Sequence, residues 1–172
     1  MSAIPSLPTE RLVLRGFTDA DRPAYAAVNA DPLVMATLGP VMSREQSDAH
    51  IDRILVHWAE HGYGLWCVDL DGECIGFTGL ATPDFMPVVE VGWRLRSDRW
   101  GHGYAPEAAA AALAFGFESC DLDEIVSFTW EGNTKSRRVM EKVGMTLDPA
   151  AGFDHPRAAP GLNPHVLYRL AR

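Results

Sequence analysis

The stretch that most restricts what this chain can fold into is a strand that runs through a glycine turn straight into a helix. From Val88 to Leu95, the residues Val89, Val91, Trp93 and Leu95 alternate with Glu90, Gly92 and Arg94. That is the period of a half-buried strand. Arg99-Trp-Gly-His-Gly-Tyr-Ala105 follows as a turn. Pro106 and Glu107 then suit the first turn of a helix predicted to run to about Ser119. Proline loses no needed N–H there, and a carboxylate meets the positive end of the helix dipole. At such a junction the backbone N–H groups of Gly101, His102, Gly103, Tyr104 and Ala105 point outward without helical partners. This makes an anion site out of main chain, of a size that fits a pyrophosphate. Gly101 and Gly103 allow close approach of the backbone and tolerate positive φ. The same turn also serves elsewhere as a plain connector, and spacing alone does not choose between the two readings.

Two familiar phosphate motifs are set aside. A dinucleotide fingerprint needs a third glycine where this chain has Pro106, and the preceding strands read as a meander rather than βαβ. A Walker loop needs a Gly-Lys-Ser/Thr ending, which is missing here.

The surrounding elements are closely spaced. Arg11 to Arg15 is a short apolar strand, and Thr18 to Asp21 caps a short helix carrying Tyr25, Val28 and Asn29. Asp31-Pro32 stops it. Ser43-Arg-Glu-Gln46 is a capping box, after which Ile51, Ile54, Leu55 and Trp58 fall at helical spacing as far as Gly62. Strands are predicted over Gly64 to Leu70 and Cys74 to Leu80, joined by the hairpin signal Asp71-Gly72. Beyond Cys120, Glu124 to Thr129 is a strand, Asn133 to Gly144 a helix, and Val166 to Leu170 a final strand. Asp148 to Pro164, rich in Pro, Ala and Gly, reads as loop. The expected fold is α+β: one domain over residues 1–172, with a single mixed, mainly antiparallel sheet that splays near Leu95 and is flanked by helices.

Charge and apolar content narrow the partners. Fifteen basic against 23 acidic residues give a net charge of −8, which argues against nucleic acid as a main partner. The longest apolar run, Ala108 to Phe117, is far shorter than the roughly 18–20 residues a membrane helix needs. The first residues have neither a basic start nor an apolar stretch, so no secretory signal is read and a cytoplasmic location is expected. Cys67, Cys74 and Cys120 form no C-x-x-C and are expected as reduced core thiols, a strained Cys67–Cys74 pair being the minor alternative.

The residues quoted so far resemble a known family, the GNAT N-acetyltransferases, and within it the branch typified by the ribosomal-protein N-terminal acetyltransferases (RimJ/RimL-like). The resemblance starts at Thr9-Glu-Arg-Leu-Val-Leu-Arg15 and includes Ile75 to Gly79 and Glu90 to Leu95. Trp100-Gly-His-Gly-Tyr-Ala-Pro-Glu-Ala108 and Asn133 to Met145, about 30 residues apart, are its specific blocks. The family's phosphate motif, Gln/Arg-x-x-Gly-x-Gly/Ala, lands on Trp100, Gly103 and Ala105, with Trp100 in place of Gln/Arg.

The resemblance implies acetyl-CoA as co-substrate and acetyl transfer to an amine, either a protein N-terminus or a small molecule, with no metal and no membrane. It places pantetheine against Trp93, Arg94 and Leu95, and the pyrophosphate on Gly101 to Ala105. Arg96, Arg99, Lys135 and Arg137 stay open as partners of the 3′-phosphate. Glu90 matches the family's acidic position and is the candidate general base, acting directly or through water. A backbone N–H near Trp93–Arg94 is the candidate oxyanion donor. Ser136 is the candidate acid for the departing thiolate, and Asn133 a candidate contact to the cofactor arm. On their residue types alone, Glu90 also reads as a surface strand glutamate, Asn133 as a helix N-cap and Ser136 as an ordinary first-turn residue. A homodimer is the family analogy.

Other signals weigh less. His57-Trp-Ala-Glu-His61 misplaces the glutamate of the zinc-protease pattern, so these histidines read as polar residues opposite Ile54, Leu55 and Trp58. Phe153 to Arg157 and His165 lie in or beside the late loop, where the resemblance implies that Asp154 or His155 binds an amine or acts as an alternative base, and the plainer reading is a loop held by local hydrogen bonds. The alternatives to an enzyme are a non-catalytic acyl-CoA-binding module, indifferent to changes at Glu90 and Ser136, and a plain interaction domain that binds no acyl-CoA.

Overall fold

The computed structural model describes residues 3–172. Its centre is one eight-stranded sheet built from β1 (Leu7–Pro8), β2 (Val13–Arg15), β3 (Leu65–Leu70), β4 (Glu73–Ala81), β5 (Glu90–Leu95), β6 (Glu124–Trp130), β7 (Thr146–Phe153) and β8 (His165–Ala171). The spatial order is β1-β2-β3-β4-β5-β6-β8-β7. Every neighbouring pair is antiparallel except β5 and β6, which run parallel. The helices are α1 (Arg22–Ala30), α2 (Pro32–Met35), α3 (Arg44–His61), α4 (Tyr104–Glu118) and α5 (Thr134–Lys142). The mixed, mainly antiparallel α+β architecture is the one expected.

Local chemistry sets the boundaries. Ser43 and Gln46 form both halves of the capping box that starts α3, and Gly62, left-handed at φ 73°, ends it. Asp71 and Gly72 both have positive φ, 54° and 86°, as a tight hairpin turn requires. Asp148 to Pro164 is not all loop, because β7 occupies Thr146–Phe153 and pairs with β8. The sequence does not mark this strand, because it is an edge strand. It is largely exposed and carries Pro149, and its register slips between Asp148 and Phe153, so no period-2 pattern marks it. The Arg169 Nε–Asp148 Oδ2 hydrogen bond of 2.7 Å helps tie it down. The two residues of β1 and the single turn of α2 were also too short to show a period.

The faces of the sheet follow from strand alternation. Leu80 on β4 pairs with Val91 on β5, and both are fully buried on the α4 side. There a Cβ on Gly116 of α4 would lie 2.6 Å from Ile125 Cδ1 and 2.9 Å from Leu80 Cδ1, so the glycine lets helix and sheet meet closely. Phe77, of opposite parity on β4, meets Tyr25 of α1 and His50 of α3 on the other face. Glu90, Gly92 and Arg94 therefore point to the α1/α3 side.

Strands β5 and β6 share one bridge, Glu90 opposite Val126. The Val126 amide donates to the Val89 carbonyl at 2.9 Å, and Ser127 Oγ donates to the Val91 carbonyl at 2.9 Å. Past Val91 the strands diverge, so the sheet opens earlier than the expected Leu95.

On the other edge of β5, Gly76 stands at φ 142°, and a Cβ there would fall 2.0 Å from the Arg94 carbonyl oxygen. Gly76→Ala is expected to cost about 3 kcal/mol of folding free energy, since the clash is with backbone. Urea unfolding reads this as a lowered midpoint, and an unchanged midpoint contradicts the close approach of β4 and β5.

Candidate functional site

The open side of β5 is a row of main-chain groups with no strand beside it. The Arg96 amide donates back to the Ile75 carbonyl at 2.9 Å, so even-numbered residues of this strand turn their N–H and C=O toward β4. The odd-numbered Val91, Trp93 and Leu95 turn theirs toward the gap. Val91 O is taken by Ser127, and Leu95 O accepts from Trp100 Nε1 at 2.9 Å. The Trp93 amide and carbonyl and the Leu95 amide face the gap. Of the two sequence candidates for an oxyanion donor, the Trp93 N–H is directed there and the Arg94 N–H toward β4.

At the end of this edge the glycine turn takes the expected form. Gly101 and Gly103 have φ of 80° and 83°, and Gly103 is the left-handed N-cap of α4. Pro106 has no N–H, and the first helical bond is Glu107 N–H to Gly103 O at 3.2 Å. The amides of Tyr104 and Ala105 precede that bond and have no helical partner. His102 stacks on Tyr104 with ring centroids 5.5 Å apart.

A brace that the sequence did not reveal holds this turn. Arg11 Nη1 donates to the His102 carbonyl at 2.8 Å, while Arg11 Nε donates to Glu107 Oε2 at 2.8 Å. The Arg11 amide and the Thr9 hydroxyl both donate to Glu107 Oε1, at 2.8 and 2.6 Å. In a trans peptide the His102 C=O and the Gly103 N–H point opposite ways. Arg11 thus turns the Gly103 amide away from itself. The guanidinium also sits 4.7 Å from the Tyr104 ring centroid. Only a pairing between residues nearly a hundred positions apart gives Arg11 this place.

Helix α5 begins where β6 ends, at the same end of the sheet as the glycine turn, because β5 and β6 are parallel. Two helix N-termini thus converge outside the carboxyl ends of adjacent parallel strands. Asn133 is the N-cap of α5, its Oδ1 accepting from the Ser136 amide at 3.2 Å. Its Nδ2 donates to Thr37 Oγ1 and Thr129 Oγ1, both at 3.1 Å. Asn133 is thus the helix N-cap that its residue type suggested. Ser136 stands in the first turn of α5, half-buried.

Glu90 lies at the root of the gap, half-buried. Loss of water around its carboxyl pushes its pKa up to about 8. The alternation that sends Val91 into the core sends Glu90 to the opposite face, as expected. Val126, its bridge partner, and Phe128 two residues on share that face. Phe128 is the centre of a ring cluster with Phe85, Phe153 and His165 at centroid distances of 5.9, 5.3 and 6.3 Å. His155 joins it, 5.0 Å from His165 and 4.6 Å from Phe85. Burial pushes the His165 pKa down to about 4, which leaves that ring neutral near pH 7. His155 thus borders the gap, and its amide is held by Asn163 Oδ1 at 2.9 Å.

Among the cations nearest the turn, Arg96 and Arg99 are engaged with Glu73, and Arg137 with the Tyr168 hydroxyl and the Glu131 carbonyl. Lys135 Nζ lies 4.2 Å over the Trp100 ring, beside the turn, without a carboxylate partner among the described residues. His57 and His61 pack against each other with ring centroids 4.2 Å apart, and both rings also touch Tyr63, His57 edge-on.

Asp21, Cys67 and Cys74 place a ligand-type atom each within 4.8 Å of one another. Asp21 is already held by Arg15 through both oxygens and by Thr18. Cys74 Sγ donates to the Gly76 carbonyl, and the hydrogen bond with Cys74, together with burial, keeps Cys67 a neutral thiol.

Comparison with known proteins agrees with this geometry. The family model described as Acetyltransferase (GNAT) domain matches residues 11–146. The crystal structure of an acetyltransferase from Agrobacterium tumefaciens is 36% identical, superposes with a TM-score of 0.85, and is covered to 97% by 100% of this chain. An FsC-acetyl coenzyme A-N(2)-transacetylase from Aspergillus fumigatus is 29% identical over 187 aligned positions, covering 100% of this chain and 78% of that protein. A Salmonella typhimurium acetyl transferase that modifies the N-terminal serine of a 50S ribosomal subunit protein is 16% identical with a TM-score of 0.82, over 98% of this chain and 99% of that one. At that identity the likeness is one of fold.

The raised carboxyl has a thermodynamic consequence. Between its ordinary value of 4.5 and about 8, folded Glu90 holds a proton that the unfolded chain has lost. Its contribution therefore falls as pH rises through that window and is fully lost above it. Glu90→Gln is expected to gain in melting temperature over the wild type as pH goes from about 5 to about 9. Parallel curves across that range contradict the desolvated carboxyl.

Proposed function

This chain belongs to the GNAT acetyltransferase family, and from that premise we propose that it carries an acetyl group from acetyl-CoA directly onto a primary amine while both are bound. The observation that carries this reading is the unpaired edge of β5, which leads from Glu90 past the Trp93 amide to the glycine turn. That edge offers main-chain groups to the amides of a pantetheine arm, as a neighbouring strand would. The amides of Gly101 to Ala105 suit the pyrophosphate, and Lys135 beside Trp100 is the favoured cation for the 3′-phosphate.

The chemistry then follows from the residues present. A protonated amine has no lone pair, so a proton must leave nitrogen before or during attack. Glu90, with its carboxyl poised near 8, accepts that proton directly or through water. The nitrogen bonds to the thioester carbon, and the carbonyl oxygen gains negative charge opposite the Trp93 N–H. When the C–S bond breaks, the second proton of the nitrogen passes through water to the Ser136 hydroxyl as that hydroxyl gives its own proton to the departing sulfur, and the proton held by Glu90 returns to solvent. Asn133 acts here through Ser136, whose turn it caps, rather than as a contact of its own. Arg11 and Glu107 set the turn. The RimJ/RimL-like reading rests on the two motif blocks at Trp100 and Asn133 and on the shared fold. A cytoplasmic site of action and a homodimer belong to the same reading.

Calorimetric titration with acetyl-CoA is expected to give saturable one-to-one binding. Gly103→Val, strained at φ 83° and 3.3 Å from Arg11 Nη2, is expected to weaken it at least tenfold, about 1.4 kcal/mol. No binding by the folded wild type removes the co-substrate and the enzyme reading with it. Glu90→Gln is expected to lower kcat about a hundredfold or more and to abolish the rise of rate toward pH 8. Ser136→Ala should also lower turnover while acetyl-CoA affinity stays near the wild type. Unchanged turnover in both variants would favour a binding module that does not catalyse.

A further inference from the structure

Arg94 is a cation folded into the α1/α3 side of the gap without a counter-ion among the described residues. Its Nη1 donates to Asn29 Oδ1 at 2.7 Å and touches Met42 Sδ at 3.7 Å. The guanidinium lies 5.3 Å from the Phe77 ring centroid. Its Nε is out of contact with water and has no hydrogen-bond partner. Its immediate neighbours are neutral: Asn29 is fully buried and spends its amide on Ser47, and Tyr25 is fully buried against His50. Burial pushes the His50 pKa down to about 4, which adds no charge near pH 7. Arg15 shows the contrast, since it holds Asp21 and Asp69. Among the described residues no carboxylate reaches Arg94, and desolvation lowers its pKa. An enclosed charge with an orphaned donor is costly and is retained where a partner comes from outside.

The route from Glu90 to Arg94 is open. Gly92 lies between them on the same face, and a Cβ placed on it would meet only Glu90 Oε1, at 3.9 Å. Phe128 and its ring cluster stand across the gap, and they carry no anion. Pantetheine is uncharged and the phosphates of the co-substrate belong at the glycine turn, so the anion that suits Arg94 comes from the acceptor.

We propose that Arg94 binds a carboxylate on the acceptor, whose amine lies at Glu90, so that the substrate is an amine with an acid group at its other end. This rests on the transfer reading above. Four residues of strand separate the two side chains, about 13 Å. The amine and carboxylate of a single α-amino acid sit too close together for that span. A two-residue extended chain covers roughly 7 Å, and two long side chains reaching over Gly92 close the remainder. A free dipeptide, or an acid of equal length with a terminal amine, has the right shape.

The test uses a panel of dipeptides and the same dipeptides amidated at the C-terminus. Coenzyme A release with acetyl-CoA is followed, and binding of the corresponding N-acetyl dipeptides in the presence of coenzyme A is measured by calorimetry. The wild type is expected to favour acid over amide at least tenfold in kcat/KM, mostly through KM. The N-acetyl acids should bind and the amides should not. Arg94→Met is expected to bring the acid-to-amide ratio to about one, with Arg94→Lys keeping part of it. A wild-type ratio near one, a ratio unchanged in Arg94→Met, or no binding of any N-acetyl acid overturns the proposal. The wild-type comparison needs no variant to fold. A loss of acetyl-CoA affinity in Arg94→Met without a change in the ratio assigns the cation to the co-substrate and also overturns it. Failure of acetyl-CoA itself to bind is a different result, and it overturns the transfer reading.

Discussion

The hydrogen bond from Ser127 Oγ to the Val91 carbonyl marks the last point at which β5 and β6 are joined. Everything distinctive about the site depends on the two strands parting there. Had they stayed paired, the Trp93 and Leu95 main-chain groups would be consumed by a ladder, and the sheet would offer no edge in its interior. The single bridge between Glu90 and Val126 holds the sheet together while leaving the rest of β5 free. Because the pair is parallel, the helices that follow β5 and β6 both start on the same side of the opening. One divergence thus creates an unpaired edge and brings two helix N-termini beside it.

The two faces of β5 are used differently. Val91 and Leu95 are buried and anchor the strand to α4. Glu90 and Arg94 bring a carboxyl and a guanidinium into a partly dehydrated space on the other face, four residues apart and with no side chain between them. Neither has a salt-bridge partner within 4 Å among the described residues, while most other arginines of the chain do. Left alone in low dielectric, each charged form is destabilised: the carboxyl is pushed up, and the guanidinium is pushed down. An unpaired carboxyl and an unpaired guanidinium at the two ends of one groove are a pattern for a ligand, whereas the same groups touching each other would be a structural ion pair.

The supports around the opening are polar networks rather than packing alone. Glu107 gathers Thr9 and Arg11, and Arg11 in turn orients the His102 carbonyl. Asn133 links α5 to Thr37 and to Thr129 of β6. Such contacts fix the peptide planes of the glycine turn and the first turn of α5 before any ligand arrives, which lowers the ordering cost of binding.

The sequence by itself determined the elements whose cause is local. The capping box at Ser43, the hairpin turn at Asp71–Gly72, the alternation of β5 and the glycine turn ahead of α4 are all short-range patterns, and each stands where its residues placed it. The motif blocks around Trp100 and Asn133 were equally legible, and with them the family. Glu90 was singled out by the family resemblance, and alternation along the strand was enough to tell which face it takes. Tertiary structure decided the rest, because the causes lie far apart in the chain. Strand β7 exists through its pairing with β8 and has no apolar period of its own. Arg11 reaches the turn only once β1 and β2 pack beside α4. The sheet opens just past the bond between Ser127 of β6 and Val91 of β5, and Arg94 lacks a counter-ion among the described residues because α1 and α3 close over it with neutral groups. Patterning along a chain encodes burial and turns; which charge is left unpaired is a property of what surrounds it in three dimensions.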